Sequence, residues 1–249
     1  MKKILLFISI AISIDTFAQP VITDGNNIPA AGLSVPVSFA TPSSGVGNSG
    51  ASQTWDFSSL SFSVIGTVAV ITPSSSPIGS SFPTANHCQS LVGQNSYNFF
   101  SVLSTKMECL GYNISSPGSG NDYTPNPRTT LKFPFNYLDT ETDTWQKVGG
   151  SVNNVTLTYD GYGTLITPTA TYTNVVRIKE DYGNSAIDYQ WYTLNPLMGV
   201  MIYDHNTNRL YFMGVTATGV SEQNYFFTTV DIYPNPAANK ITVINQSII

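Results

Sequence analysis

Ala186-Ile187-Asp188-Tyr189-Gln190-Trp191-Tyr192-Thr193-Leu194, Met198-Gly199-Val200-Met201-Ile202-Tyr203-Asp204 and the run opening Arg209-Leu210-Tyr211-Phe212-Met213 follow one another almost without interruption. Asn195-Pro196 joins the first to the second, and His205-Asn206-Thr207-Asn208 joins the second to the third. Short runs rich in aromatic and branched residues, bounded by turn residues, read as strands. Links this short join antiparallel neighbours, because a parallel return needs a crossover of about a dozen residues or more. The stretch therefore predicts a three-stranded antiparallel meander. Side chains alternate along a strand, so Tyr189 and Trp191 share one face and Tyr192 takes the other.

The meander also holds a concentration of aromatics: Tyr189, Trp191, Tyr192, Tyr203, Tyr211 and Phe212. Two readings compete. Aromatic cross-strand pairs stabilise a sheet from within. A row of ring faces left in solvent would instead stack on sugars, with Tyr189, Trp191, Tyr203 and Tyr211 as the candidate platform.

Outward from the meander the same pattern recurs. Val35, Val37 and Phe39 alternate, as does Phe62 to Thr72 up to Pro73. "YNFFSVL" and "KMECLGYNI" give two more strands, and "TTLKFPFNYL" gives one broken at Pro134. Val152 to Tyr159 is a strand, Asp160-Gly161-Tyr162-Gly163 spells a hairpin turn, and Tyr172 to Glu180 is the next strand. Trp55 reads as a core aromatic. Gly/Ser/Pro-rich stretches separate these runs, and no segment carries helical periodicity. The expected fold is all-β: an antiparallel β-sandwich or strongly curved sheet, with a short C-terminal β segment. Residues 19–221 should hold this domain, a length of roughly 200 residues that suits one all-β domain or two small ones.

Charged residues make up 10% of the chain, against about 25% in an average soluble protein. The net charge is −5, and no Lys/Arg cluster occurs after Lys2-Lys3, which argues against a nucleic-acid footprint. No Walker loop, HExxH or EF-hand pattern is present, so no cofactor is expected. "DTETDTW" sets Asp139, Glu141 and Asp143 two apart, on one side of an extended chain. The trio is a weak candidate for a metal site or an acid/base pair, the other reading being a solvated acidic turn. Glu108, Glu141, Glu180 and Asp188 are the carboxylates a two-acid glycosidase would draw on. No Gly-x-Ser-x-Gly elbow exists, and His205 falls in a polar turn expected to face solvent.

Lys2-Lys3, the apolar run Ile4 to Ile14 and the small residues before Ala18 form a secretory signal peptide over residues 1–18, cut between Ala18 and Gln19. No later run is long and apolar enough to span a bilayer. In an exported chain two cysteines favour a disulfide. Closing the Cys88–Cys109 loop would contribute about 3 kcal/mol, and two buried thiols are the alternative.

Residues 222–249 hold a linker and then Tyr233-Pro234-Asn235-Pro236-Ala237-Ala238-Asn239-Lys240-Ile241-Thr242-Val243. The two prolines fix a turn, and Ile241 to Ile244 is a β-branched strand. This motif resembles the opening of the type IX (Por) secretion system C-terminal sorting domain, carried by unrelated exported proteins of Gram-negative bacteria. Tyr233, Pro234, Asn235, Pro236, Asn239 and Val243 carry the match, and it covers the family's first strand only. The resemblance implies export through the periplasm to the outer-membrane surface or the medium, with the type IX machinery as partner. "YDGYGTLITP", "NVVRIK" and "YQWYTL" together resemble a recurrent module of proteins with this tail, which supports the fold only. The function expected is a non-enzymatic binding or adhesion module for an extracellular glycan or protein. A hydrolase of polysaccharide or protein is the first alternative, and a structural envelope component the second.

Overall fold

A computed structural model describes residues 19–43, 45–119 and 121–214, together with residues 232–233 and 242–243. The alternating apolar residues place strands β1 (Ser34–Ala40) and β3 (Ser63–Ile71) near the expected positions. Between them β2 (Gly50–Asp56) carries Trp55 into the core. β4 (His87–Leu91), β5 (Tyr97–Val102) and β6 (Lys106–Ile114) follow, then the two-residue β7 (Asn121–Asp122) and β8 (Arg128–Lys132). β9 (Thr140–Gln146), β10 (Val152–Ile166) and β11 (Thr171–Asp181) lead into the meander. The meander is β12 (Ile187–Leu194), β13 (Leu197–Asp204) and β14 (Arg209–Met213). Near the C-terminus β15 (Ile232–Tyr233) pairs antiparallel with β16 (Thr242–Val243). Among the described residues there is no α-helix, so none that could cross a membrane.

The main sheet has fourteen strands in the order β2-β10-β11-β12-β13-β14-β1-β3-β4-β5-β6-β7, with β9 also on β10 and β8 also on β6. The meander is antiparallel throughout, as its short links require. Within this sheet β2 and β10 alone run parallel. The sheet curls until its two ends face each other. One cluster thus draws Leu131 from β8 together with Val155, Leu157 and Tyr159 from β10 and Val176 and Ile178 from β11. A second packs Trp55 and Phe57 on Trp191, Met201 and Phe212. A third fills the far side around Phe82, Phe99 and Ile114.

Asp160-Gly161-Tyr162-Gly163 is not a hairpin turn. β10 runs straight through it for 15 residues, with irregular register on either side. The glycines serve a close approach instead. A Cβ on Gly163 would lie 1.9 Å from the carbonyl oxygen of Gln53, and one on Gly161 would lie 3.0 Å from that of Gly50. The parallel β2 can lie alongside only because both side chains are missing.

The expected Cys88–Cys109 disulfide is also corrected: both cysteines are free and buried. Cys88 is paired with Phe99 and Cys109 with Phe100, so β5 runs between them. Two strand spacings separate the cysteines by about 9–10 Å, beyond the reach of a disulfide. Phe99 and Phe100 are successive residues, so the thiols also point to opposite faces. Burial pushes the Cys88 thiol up to about 12 and the Cys109 thiol up to about 11.

Candidate functional site

The aromatic platform expected on the meander does not assemble. Tyr203 lies opposite Leu210 and Tyr211 opposite Ile202, so those two tyrosines sit on different faces of the sheet. Trp191 is fully buried, edge-on to Trp55 and Phe57 at 6.1 and 5.8 Å between ring centroids. Tyr189 and Tyr203 remain half-buried side by side at 6.3 Å, and Tyr211 leans on Phe39 at 6.5 Å. Tyr189 and Trp191 form two walls of a cage around Arg177, whose guanidinium lies 4.7 Å from the Tyr189 ring centre and 5.2 Å from that of Trp55. Cross-strand and core packing therefore employ these rings.

The acidic trio is dispersed as well. Asp139 accepts the backbone and side-chain N–H groups of Asn136 at 3.0 and 2.9 Å, which holds its carboxyl below the usual range. Glu141 pairs with Lys132 at 3.5 Å. Asp143 accepts the Thr129 N–H at 2.7 Å. Each carboxylate has its own partner, and they do not form a cation site.

A buried polar network lies where β11 and β12 face β8. Glu180 is 1% exposed. Its carboxylate accepts hydrogen bonds from Gln190 at 2.6 Å and from the Tyr182 hydroxyl, and lies 3.5 Å from Arg128. Tyr192 donates in turn to Gln190 at 2.6 Å. Burial raises the Glu180 carboxyl above its ordinary value, and Arg128 offsets part of that rise. Of the other glycosidase candidates, Glu108 pairs with Lys106 and Asp188 with His205. Among the described residues neither histidine hydrogen-bonds a serine. His205 is half-buried rather than solvent-facing, because its backbone N–H and ring Nδ1 both bond Asp188, at 2.9 and 2.6 Å.

The surface does offer a groove of about 600 Å³ between the segment 24–31 and the ends of β3, β4 and β5. This is within the roughly 300–1,000 Å³ range of small-molecule sites. Ile28, Ile71 and Leu103 supply apolar lining, and Asp24, Asn86 and His87 supply polar groups. Asn86 is fixed by exchanging two 2.8 Å bonds with the backbone of Val102. Asp24 accepts the Asn26 N–H at 2.9 Å. His87 is buried against Phe100, and burial lowers its pKa, so the ring is neutral at pH 7 and can both donate and accept. Among the described residues, no aromatic ring of Phe, Tyr or Trp lines the groove. The sequence offered no signal for it. β4 lacks alternation, and segment 24–31 reaches its place through Ile22, which is buried in the core and bridged to Phe135.

This arrangement is a β scaffold with a mixed-polarity surface groove. No protein-family model, curated protein or solved structure matches the chain. The signal cut after Ala18 and the motif positions Pro234, Asn235 and Pro236 lie outside the described residues.

Proposed function

We propose that the protein is an exported binding module of the cell surface or medium, and that it takes an extended segment of an extracellular protein into the groove beside His87. The groove carries this reading. Its lining is aliphatic with amide, imidazole and carboxylate groups at the edges, a combination that suits peptide side chains and backbone. Sugar sites use aromatic faces, and among the described residues the lining holds no Phe, Tyr or Trp, which favours protein over glycan as the ligand. Export rests on the signal-like start and on the resemblance of Tyr233-Pro234-Asn235-Pro236 to the type IX sorting domain. A start at Gln19 fits the described chain: Gln19 is exposed, while the Pro20 carbonyl accepts the Tyr159 hydroxyl at 2.8 Å and Ile22 is buried.

The test is a peptide array set beside a glycan array, both probed with the full chain and with Leu103→Asp. Leu103 is 43% exposed, so the substitution leaves the fold intact while placing a charge on the groove wall. Peptide binding by the parent, weakened about tenfold or more in the variant (a loss of roughly 1.4 kcal/mol), is the expected outcome. Glycan binding that is indifferent to Leu103→Asp would overturn the assignment.

A further inference from the structure

A cluster of titratable side chains lies at the end of the meander where β13 turns into β14. Glu180 on β11 stands opposite Asp188 on β12. Tyr189 stands opposite Tyr203, so the next cross-strand neighbours are Asp188 and Asp204. Three carboxylates thus follow one another across three adjacent strands. Like charges directly opposite one another destabilise a sheet, and each needs a compensating partner. Arg128 serves Glu180. Asp188 and Asp204 have no lysine or arginine within ion-pair distance among the described residues. The register does supply one cation, because Arg209 lies directly opposite Asp204. Its guanidinium turns away and stacks on Phe39, 4.2 Å from the ring centre.

His205 lies beside the two remaining carboxylates. One ligand atom from each of Asp188, Asp204 and His205 lies within 4.8 Å of the others. All three residues are half-buried. The Asp188 side chain receives the His205 N–H at 2.9 Å, and Asp204 receives the Asn206 N–H at 2.8 Å. Two carboxylate oxygens and one imidazole nitrogen are the donor set of zinc-class divalent cations, whereas calcium and magnesium prefer oxygen alone.

We propose that Asp188, Asp204 and His205 form a binding site for a zinc-class divalent cation, with water completing the coordination shell. In the metal-free protein the His205 Nδ1 proton is donated to Asp188 at 2.6 Å. On binding, the ring takes the Nε2–H tautomer, its Nδ1 proton passing to Nε2 through solvent, and the freed Nδ1 takes the cation, whose charge offsets the facing pair of carboxylates. Tyr182, its ring centre 6.1 Å from that of His205, walls one side.

Zinc chloride titrated into the metal-stripped full chain by calorimetry is the test, with magnesium chloride as comparison. One zinc per chain is expected, along with a rise in melting temperature that follows zinc concentration and no response to magnesium. His205→Ala and Asp188→Asn should each weaken zinc at least about tenfold. Asp139→Asn, remote from the trio, should bind like the parent. Cobalt(II) gives a second readout that does not depend on stability. Its visible absorption should appear with the parent and be lost with His205→Ala, both checked as folded by circular dichroism. Zinc binding that survives His205→Ala unchanged, or a parent that takes no zinc, would overturn the proposal.

Discussion

Arg177 shows how a chain so poor in charge uses the few charges it has. The side chain is 1% exposed, and an isolated charge there would be heavily penalised. The penalty is offset by geometry. Nε and Nη2 fork onto the two oxygens of Asp160 at 2.8 and 2.9 Å, and Nη1 donates to the carbonyls of Val46 and Gly47 at 3.0 Å. Rings of Trp55, Tyr189 and Trp191 cover it. Only a planar fork matches this set. Arg177→Ala strands Asp160 and both carbonyls and should cost about 3–5 kcal/mol, read as a lower urea midpoint. Arg177→Lys keeps the charge without the fork and should still lose more than about 1 kcal/mol. A parent-like midpoint in the lysine variant would show that charge alone suffices. Two of the four aromatics offered in sequence as a glycan platform, Tyr189 and Trp191, are occupied by this arginine, which period-2 alternation alone could not reveal.

At the scale of elements, strand order decides what neighbouring residues can do. β5 between β4 and β6 keeps Cys88 and Cys109 apart and on opposite faces. Both thiols are also pushed well above ordinary values by burial. The folded chain should therefore resist alkylation at pH 8, release two reactive thiols per chain on denaturation, and show no mobility change on reduction. One disulfide found by mass spectrometry would contradict the order of β4, β5 and β6. The elements legible in sequence were β1, β3, β5, β6, β8, the first half of β10, β11 and the meander. β4, "HCQSL", and β9, "TETDTWQ", were not legible, because one lacks alternation and the other is mostly polar. β9 is polar because it borders the seam between the sheet's two ends. Asp160-Gly161 read as a turn because a hairpin and a close parallel neighbour demand the same missing side chain. The groove was illegible for a related reason: its walls come from segments far apart in the chain, and none of them carries a motif.

On the scale of the whole molecule, the sheet is a curl whose ends are joined by side-chain bonds and isolated backbone bonds rather than by a continuous ladder. β8 and β9 approach at its two ends. Asp143 accepts the Thr129 amide at 2.7 Å, and Asn126 donates to the Thr144 carbonyl and hydroxyl at 2.8 and 3.0 Å. Asn126 also receives the Gln146 N–H on its carbonyl, at 3.0 Å. Beneath this seam the first core cluster takes side chains from both ends of the sheet, so neither end can loosen without exposing the other. The acidic run that sequence offered as a cation site is thus part of the closure. Asp143→Ala leaves the part-buried Thr129 amide without its acceptor, which costs about 1–3 kcal/mol. That loss should appear as a lower urea midpoint with a single transition and an unchanged slope, because the shared core keeps unfolding all-or-none. Hydrogen exchange should locate the loss, with the Thr129 amide losing protection while the Trp191 amide in the meander keeps it relative to global unfolding. A stability change within about 0.5 kcal/mol of the parent, the range of ordinary surface substitutions, would mean that the Asp143–Thr129 bond does not help hold the two ends. Two separate transitions would mean that the sheet's ends are independent units, and the shared cluster of Leu131, Leu157 and Ile178 argues against that outcome.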